Sequence, residues 1–402
     1  MARHIGIGLI GGGWMGNVHS RSYTRLTQLD PDLPLRPRLV HAADSDPRVV
    51  AALQSRWGWE RASTEWRTVV DDPDVEVIDI CAPNHLHCEL ALAAASVGKH
   101  VYCEKPLGRS LIEAQRMAQA VTEAGVQSLV GFNYRWMPAL QHARSLVDEG
   151  RLGTVTHFRS VFHTDWGASP AAPFSWRFDR DQAGWGALGD MGSHVVDTAE
   201  VLLGSIASVT CTAATFVDRR PVVRFTSDAT TRGASVFGAV DADPTTVTQE
   251  VSNEDYVAAL IKFASGTRGT VEISRAINGP RSRFAIELNG TDGSFSWDLE
   301  RMNEFQVWLR DELPSEQGYR RVLVGPEHPD HALFSPGAGV GIAFEDSKAI
   351  EAYRFLTALS SNTPATPDFS GGLRVAEVLA GMEESFHTST WRDVSPTVAT
   401  NA

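Results

Sequence analysis

Three side chains stand out for the chemistry that their types and spacing allow. His194 follows Asp190 by four residues in Gly189-Asp190-Met191-Gly192-Ser193-His194, a separation that stacks two side chains on one helix face. An imidazole changes protonation near neutral pH and suits the removal of a hydroxyl proton. The plainer reading of the pair is a helix N-cap followed by a satisfied, half-buried histidine. Lys105 stands in Glu104-Lys105-Pro106, directly after the short run His100-Val101-Tyr102-Cys103. Proline imposes an extended conformation on the residue before it and ends the strand, so the lysine is presented at a strand's carboxyl end. A solvated surface lysine is the alternative there.

These groups need a platform, and the start of the chain describes one. Residues 5–10 read as an apolar strand, followed by Gly11-Gly12-Gly13-Trp14-Met15-Gly16. Gly11, Gly13 and Gly16 have the G-x-G-x-x-G spacing. The first glycine permits the tight turn, the second admits a pyrophosphate to the backbone, and the third lets the helix pack close to the strand. The next strand, residues 37–43, ends in Asp44-Ser45-Asp46. A carboxylate there accepts hydrogen bonds from the adenosine ribose and repels a 2′-phosphate, so Asp44 favours NAD over NADP. Asp46 then serves as N-cap of the following helix. The interval from Gly11 to Asp44 exceeds the usual ~20 residues, and a proline-rich insert at residues 30–37 accounts for the excess.

Further units follow in regular alternation. Residues 75–82 form an apolar strand that stops at Pro83-Asn84-His85-Leu86-His87 and turns into a helix ending at Gly98. Ser110 and Glu113 make a capping box for a helix closing at Gly125, before a strand at 126–130. Strand–helix alternation of this kind indicates a doubly wound parallel sheet, whose ligands bind beyond the carboxyl ends of its strands. After a helix at 138–147 the texture changes. Residues 154–162, 206–216, 256–263, 269–276, 284–288, 294–297 and 304–309 read as strands, mostly antiparallel, and 344–359 and 372–386 as helices. We therefore expect an α/β fold: a Rossmann domain over residues 1–135, and a second α/β domain over 136–402 with a large, open, mostly antiparallel sheet. A sheet with one face on helices must cover the other, and self-association does so economically.

Composition narrows the classes. A formal charge of −13 without a basic run argues against nucleic acid or an anionic membrane as partner. No apolar stretch approaches a membrane span, and the N-terminus lacks a signal-peptide layout. Cys81, Cys88, Cys103 and Cys211 have no C-x-x-C spacing, which suits a reduced, cytoplasmic compartment. His85, His87 and Cys88, taken with Cys81 and Cys103, fit no zinc pattern, so no metal is expected. The alanine- and threonine-rich last residues read as loose.

The glycine turn, Glu104-Lys105-Pro106, the stretch 131–135 and Gly189-Asp190 through His194 to Asp197 occur in an order and at spacings that resemble the glucose–fructose oxidoreductase/inositol dehydrogenase (Gfo/Idh/MocA) family. The likeness covers nearly the whole chain. It implies an NAD(P)-dependent dehydrogenase, which with Asp44 we expect to use NAD on a secondary hydroxyl of a sugar or cyclic polyol, assembled as a dimer or tetramer through the second sheet. It also implies Lys105 as catalytic lysine with Asp190 and His194 as partners. His194 would be the general base, Lys105 would stabilise the alkoxide, and Asp190 would hold the hydroxyl and tune His194. Trp14 and Met15 resemble residues flanking the dinucleotide, and Pro83, Asn84 and His87 the nicotinamide-ribose segment; Ser45 and Glu104 complete the expected cofactor contacts. Asn133, Arg135, Trp166, Trp176 and Arg177 suit a sugar site, with simple packing of the loop as the alternative for the tryptophans. Two rival readings are an enzyme that retains NAD for transient oxidation, and a dinucleotide sensor without turnover.

Overall fold

The computed structural model describes residues 3–222, 247–311 and 313–395; the loose tail expected at the C-terminus lies outside them. Six strands form the first sheet: β1 (Arg3–Ile10), β2 (Leu35–Ala43), β3 (Arg61–Ser63), β4 (Val77–Ile80), β5 (His100–Cys103) and β6 (Ser128–Val130). Their order is β3-β2-β1-β4-β5-β6 and every pairing is parallel. Strands covered on both faces have no polar side to show, which is why Val77-Ile78-Asp79-Ile80 is buried throughout. The order reverses between β1 and β4, and a crevice opens beyond the carboxyl ends at such a switch. The ends of β1, β4 and β5 deliver Gly11, Cys81 and Glu104 to that rim.

Local signals act where they were expected. The Asp46 carboxylate accepts from Arg48 N–H and caps Pro47–Trp57. Gly125 closes Leu111–Ala124 in the left-handed region. The capping box is altered: Ser110 accepts from Glu113 N–H, but the Glu113 carboxylate turns to the Arg109 N–H and guanidinium instead of the cap residue. The cation beside it draws the carboxylate away.

The second sheet has nine strands. These include β7 (Val155–Thr164) and β8 (Ile206–Ala214); a separate two-stranded ribbon, β9 (Arg219–Pro221) with β10 (Thr248–Glu250), comes between in sequence. Then follow β11 (Tyr256–Phe263), β12 (Arg268–Ser274), β13 (Ser282–Gly290), β14 (Gly293–Asp298), β15 (Glu304–Leu309), β16 (Arg320–Leu323) and β17 (Arg392–Asp393). The order is β16-β15-β14-β13-β7-β12-β11-β8-β17, antiparallel except for β7 with β12. Alternate residues of β11 and β12 are buried, so one face meets the helices Pro138–Asp148, Ser193–Leu203 and Phe369–Thr388.

One C-terminal element crosses back. The helix Phe344–Ser361 buries Ala349, Ala352, Phe355 and Leu356 in the same cluster as Ile5, Ile7 and Leu9 of the first sheet and Tyr23 of the helix Trp14–Leu29. The first sheet is thus covered partly by residues far along the chain. Among the described residues no helix is long and apolar enough to cross a membrane.

Candidate active site

The glycine turn is built as its spacing demands. Gly11 has φ +102°, and a Cβ there would sit 2.6 Å from the Cys81 and Ala82 backbone. A Cβ on Gly16 would lie 2.0 Å from the Gly11 carbonyl oxygen, so helix Trp14–Leu29 packs tightly on the turn. Gly13 differs: a Cβ there meets nothing within 4 Å. Gly13 is also the N-cap of that helix and offers no side chain to its N–H groups. An open approach to uncapped amides is what a pyrophosphate requires.

A cavity of about 680 Å³ runs from this turn into the second half of the chain. Gly11, Gly13, Trp14, Met15, Asp44 and Ser45 line one end. The Asp44 carboxylate accepts from Gly12 N–H at 2.8 Å and Asp46 N–H at 2.9 Å, which fixes it at the rim. Pro83, Asn84 and His87 line the cavity as well. The Asn84 amide donates to the Ala183 carbonyl, and the buried His87 ring bridges the carbonyls of Pro106 and Ala82, tying the neighbouring strand ends together. These residues fit a dinucleotide laid across the strand ends.

Lys105, Asp190 and His194 line the same cavity together. The Lys105 ammonium donates to the Asp190 carboxylate at 2.7 Å and to its main-chain carbonyl at 2.8 Å. Burial pushes the Asp190 carboxyl up, but Lys105 and Arg177 beside it hold it down at about 2. Asp190 lies in a π-helical turn, Leu188–Gly192, which runs into the helix Ser193–Leu203; it is neither a plain N-cap nor one turn below His194 on a regular helix. His194 is buried, with the Tyr134 ring edge-on at 4.6 Å. Its Nδ1 has no hydrogen-bond partner. Burial first, then the nearby Lys105 and Lys348 ammoniums, hold its proton affinity well below the ordinary histidine value. The result is an uncharged imidazole beside a lysine–aspartate pair.

The substrate-side residues divide. Trp166, Trp176 and Arg177 line the cavity, and the Arg177 guanidinium stacks on Trp176 at 4.4 Å. Asn133 lines it too, with its amide donating to Ser347 at 2.7 Å. Arg135 does not line it. Its guanidinium is committed to Asp197, a buried carboxylate that requires a counter-charge. Glu104 reaches the cavity wall, but its carboxylate is taken by His19, Lys348 and the Lys105 N–H. Sequence reasoning did not single out Tyr134, Arg275 or Lys348, all of which line the cavity, as does Trp185 at the end of the tryptophan-rich segment. Trp185 also donates to Glu383 at 2.7 Å, so it serves packing as well.

Among the described residues, His19, Asp79 and Cys81 are the one group of three with ligand atoms within 4.8 Å of one another. Burial opposes a charge on His19, yet Asp79 raises its proton affinity well above the usual value.

A parallel sheet with an open glycine turn, joined to a cavity that holds a lysine, a carboxylate and a neutral imidazole, defines an NAD-dependent oxidoreductase. Residues 5–132 match the oxidoreductase family model with the NAD-binding Rossmann fold, and residues 140–296 the GFO/IDH/MocA C-terminal domain. The chain belongs to the GFO/IDH/MocA family, within its sugar and polyol dehydrogenase branch. It is 37% identical to levoglucosan dehydrogenase of Pseudarthrobacter phenanthrenivorans over 395 residues, 98% of each chain. It is 25% identical to inositol 2-dehydrogenase of Rhizobium meliloti, covering 92% of this chain and 93% of that protein. A solved levoglucosan dehydrogenase in complex with NADH and levoglucosan superposes with TM-score 0.90 at 35% identity, covering 98% of this chain and all of that one.

Proposed function

We propose that this enzyme oxidises a secondary hydroxyl of a pyranose or cyclic polyol, with an anhydrosugar of the levoglucosan type as the first candidate. The observation that carries the reading is the meeting of Lys105, Asp190 and His194 on one cavity that continues to the Gly11–Met15 turn. His194, uncharged at neutral pH, accepts the hydroxyl proton. The Lys105 ammonium stabilises the oxygen as negative charge develops there. Asp190 holds the ammonium in place. NAD, when bound, supplies the acceptor for the hydride leaving the same carbon. Aromatic faces at Trp166 and Trp176, with the Arg177 donors, suit the apolar and hydroxyl surfaces of a sugar ring. Identity to levoglucosan dehydrogenase along almost the whole chain supports the anhydrosugar assignment.

The test is NADH formation at 340 nm with levoglucosan, myo-inositol, scyllo-inositol and common pyranoses. Stoichiometric NADH with levoglucosan supports the reading. Consumption of substrate without NADH release would instead mark an enzyme that retains its cofactor, and absence of turnover on the whole panel would overturn the substrate class.

A further inference from the structure

The helix Phe344–Ser361 begins at the active site although it lies about 150 residues beyond His194 in sequence. Three of its first residues touch the site. Phe344 stacks on Trp14 with centroids 5.8 Å apart, Ser347 accepts from the Asn133 amide, and Lys348 lines the cavity. Lys348 is 2% exposed and spends each ammonium proton inside the protein: on Glu104, on the Gly131 carbonyl at 3.1 Å and on Glu351 at 2.8 Å. Glu104 in turn accepts from the Lys105 main-chain N–H at 3.2 Å. Gly131 shows how closely this corner is packed, because a Cβ there would lie 2.8 Å from Glu104 and 2.9 Å from Lys348.

Burying an ammonium is costly unless anions compensate it. Here one cation is matched to two carboxylates, and one of those carboxylates adjoins the lysine assigned to catalysis. We propose that Lys348 is a positioning residue for the reaction: through Glu104 it fixes the corner that presents Lys105, and it supplies a second buried positive charge to the cavity. This rests on the reading of His194 as the base.

The charged and titratable groups around His194 are Lys105 and Glu104 from the end of β5, Asp190 with Arg177 behind it, Tyr134, the Arg135–Asp197 pair, and Lys348 from the distant helix. Lys105 and Lys348 oppose protonation of the imidazole; Glu104 and Asp190 favour it. Lys348 therefore works with Lys105 to keep His194 ready to accept a proton. Glu351 partly cancels the charge of Lys348 and does not touch His194.

The test is the pH dependence of kcat/KM for the full-length enzyme. In Lys348→Met the acid limb moves to higher pH by about a unit, so at a given pH on that limb kcat/KM falls by up to roughly tenfold while the plateau keeps its position. Lys348→Arg keeps the charge and the limb stays. Glu351→Gln removes a neutralising anion and moves the limb to lower pH, and it carries the test should Lys348→Met not fold. An unmoved limb in whichever of Lys348→Met and Glu351→Gln fold, with only a lowered melting temperature, reduces Lys348 to a structural role and overturns the proposal. His194→Asn separates the two readings: full turnover in that variant defeats the assignment of the base itself, whereas lost turnover with unmoved limbs defeats only the role of Lys348.

Discussion

Lys105 and Asp190 are joined twice, through the aspartate's carboxylate at 2.7 Å and through its main-chain carbonyl at 2.8 Å. Two acceptors from one residue fix the ammonium in direction as well as distance. The lysine side chain is 17% exposed and the aspartate side chain 36%, so the ammonium is the more shielded partner of a half-buried pair. We expect Lys105→Met to lower kcat by about 10²–10³-fold, the scale for loss of one donor to a developing oxyanion. Asp190→Asn keeps the carbonyl contact and should lose less. NADH affinity, measured by fluorescence titration, should stay within a few-fold in both; a collapse of NADH binding would make the pair a cofactor support instead.

The same charges set the pH behaviour. His194 is held well below the ordinary histidine range by burial and by two ammoniums. A base must be unprotonated to act, so kcat/KM falls only as pH drops through this lowered value. The rate should be flat from pH 8 through about 6.5, the unperturbed histidine value, and fall only well below it. His194→Asn should abolish the limb together with most of the turnover. A limb centred above pH 7 would contradict the neutral imidazole.

The glycines of the first turn make opposite demands, and a pair of variants separates them. Gly16→Ala drives a methyl to 2.0 Å from the Gly11 carbonyl oxygen, which should cost on the order of 2 kcal/mol or more and lower the melting temperature by several degrees. Gly13→Ala meets open space. It should melt as the parent does and bind NADH much more weakly, since the methyl stands where the pyrophosphate approaches. Unchanged NADH binding in Gly13→Ala would remove that turn from cofactor recognition.

Asp44 carries two tasks at once. Its carboxylate holds the turn through the Gly12 N–H and lines the cavity, where in the proposed reading it meets the adenosine ribose. Asp44→Ser should therefore weaken NAD modestly and raise kcat/KM for NADP, narrowing the ratio by about tenfold or more, read from initial rates with the two cofactors. An unchanged ratio would leave Asp44 as a structural brace only.

What the sequence revealed follows from the range of the interactions involved. The glycine turn, the Asp46 cap, β5 and the Lys105 corner depend on neighbours within a few residues, and spacing alone exposes them. Arg135 looked available because nothing local shows that Asp197 lies buried against it. Lys348 carried no signal, since its meaning arises from Glu104, which is 244 residues away. The π-helical turn at Asp190 was hidden for a related reason: the extra residue is accommodated by tertiary contacts, with Ala187 N–H bonded to the Glu254 carbonyl and Leu188 N–H to the Glu254 carboxylate. The strands β16 and β17 are short edge segments whose pattern is too brief to read.

The loop that carries Trp166, Trp176 and Arg177 is held by a buried ion pair. Arg275 and Asp255 are at most 1% exposed and meet at 2.7 Å. Arg275 also donates to the Arg177 carbonyl at 3.0 Å and to the Asn253 side chain at 2.8 Å, and its own carbonyl accepts from Gly167 N–H at 2.8 Å. Its guanidinium lies over Phe178 at 4.6 Å. Asp255 spends its other oxygen on the Phe216 and Val217 N–H groups. Both ends of the loop thus converge on one arginine. Removing one partner of such a pair strands the other charge, so Arg275→Met should cost about 3–5 kcal/mol of stability. Measured at a temperature where the variant stays folded, KM for the sugar should rise by more than kcat falls, because the loop shapes the pocket while Lys105, Asp190 and His194 stand on other elements. Equal losses in kcat and kcat/KM with KM unchanged would mean instead that the loop acts on the reacting groups themselves.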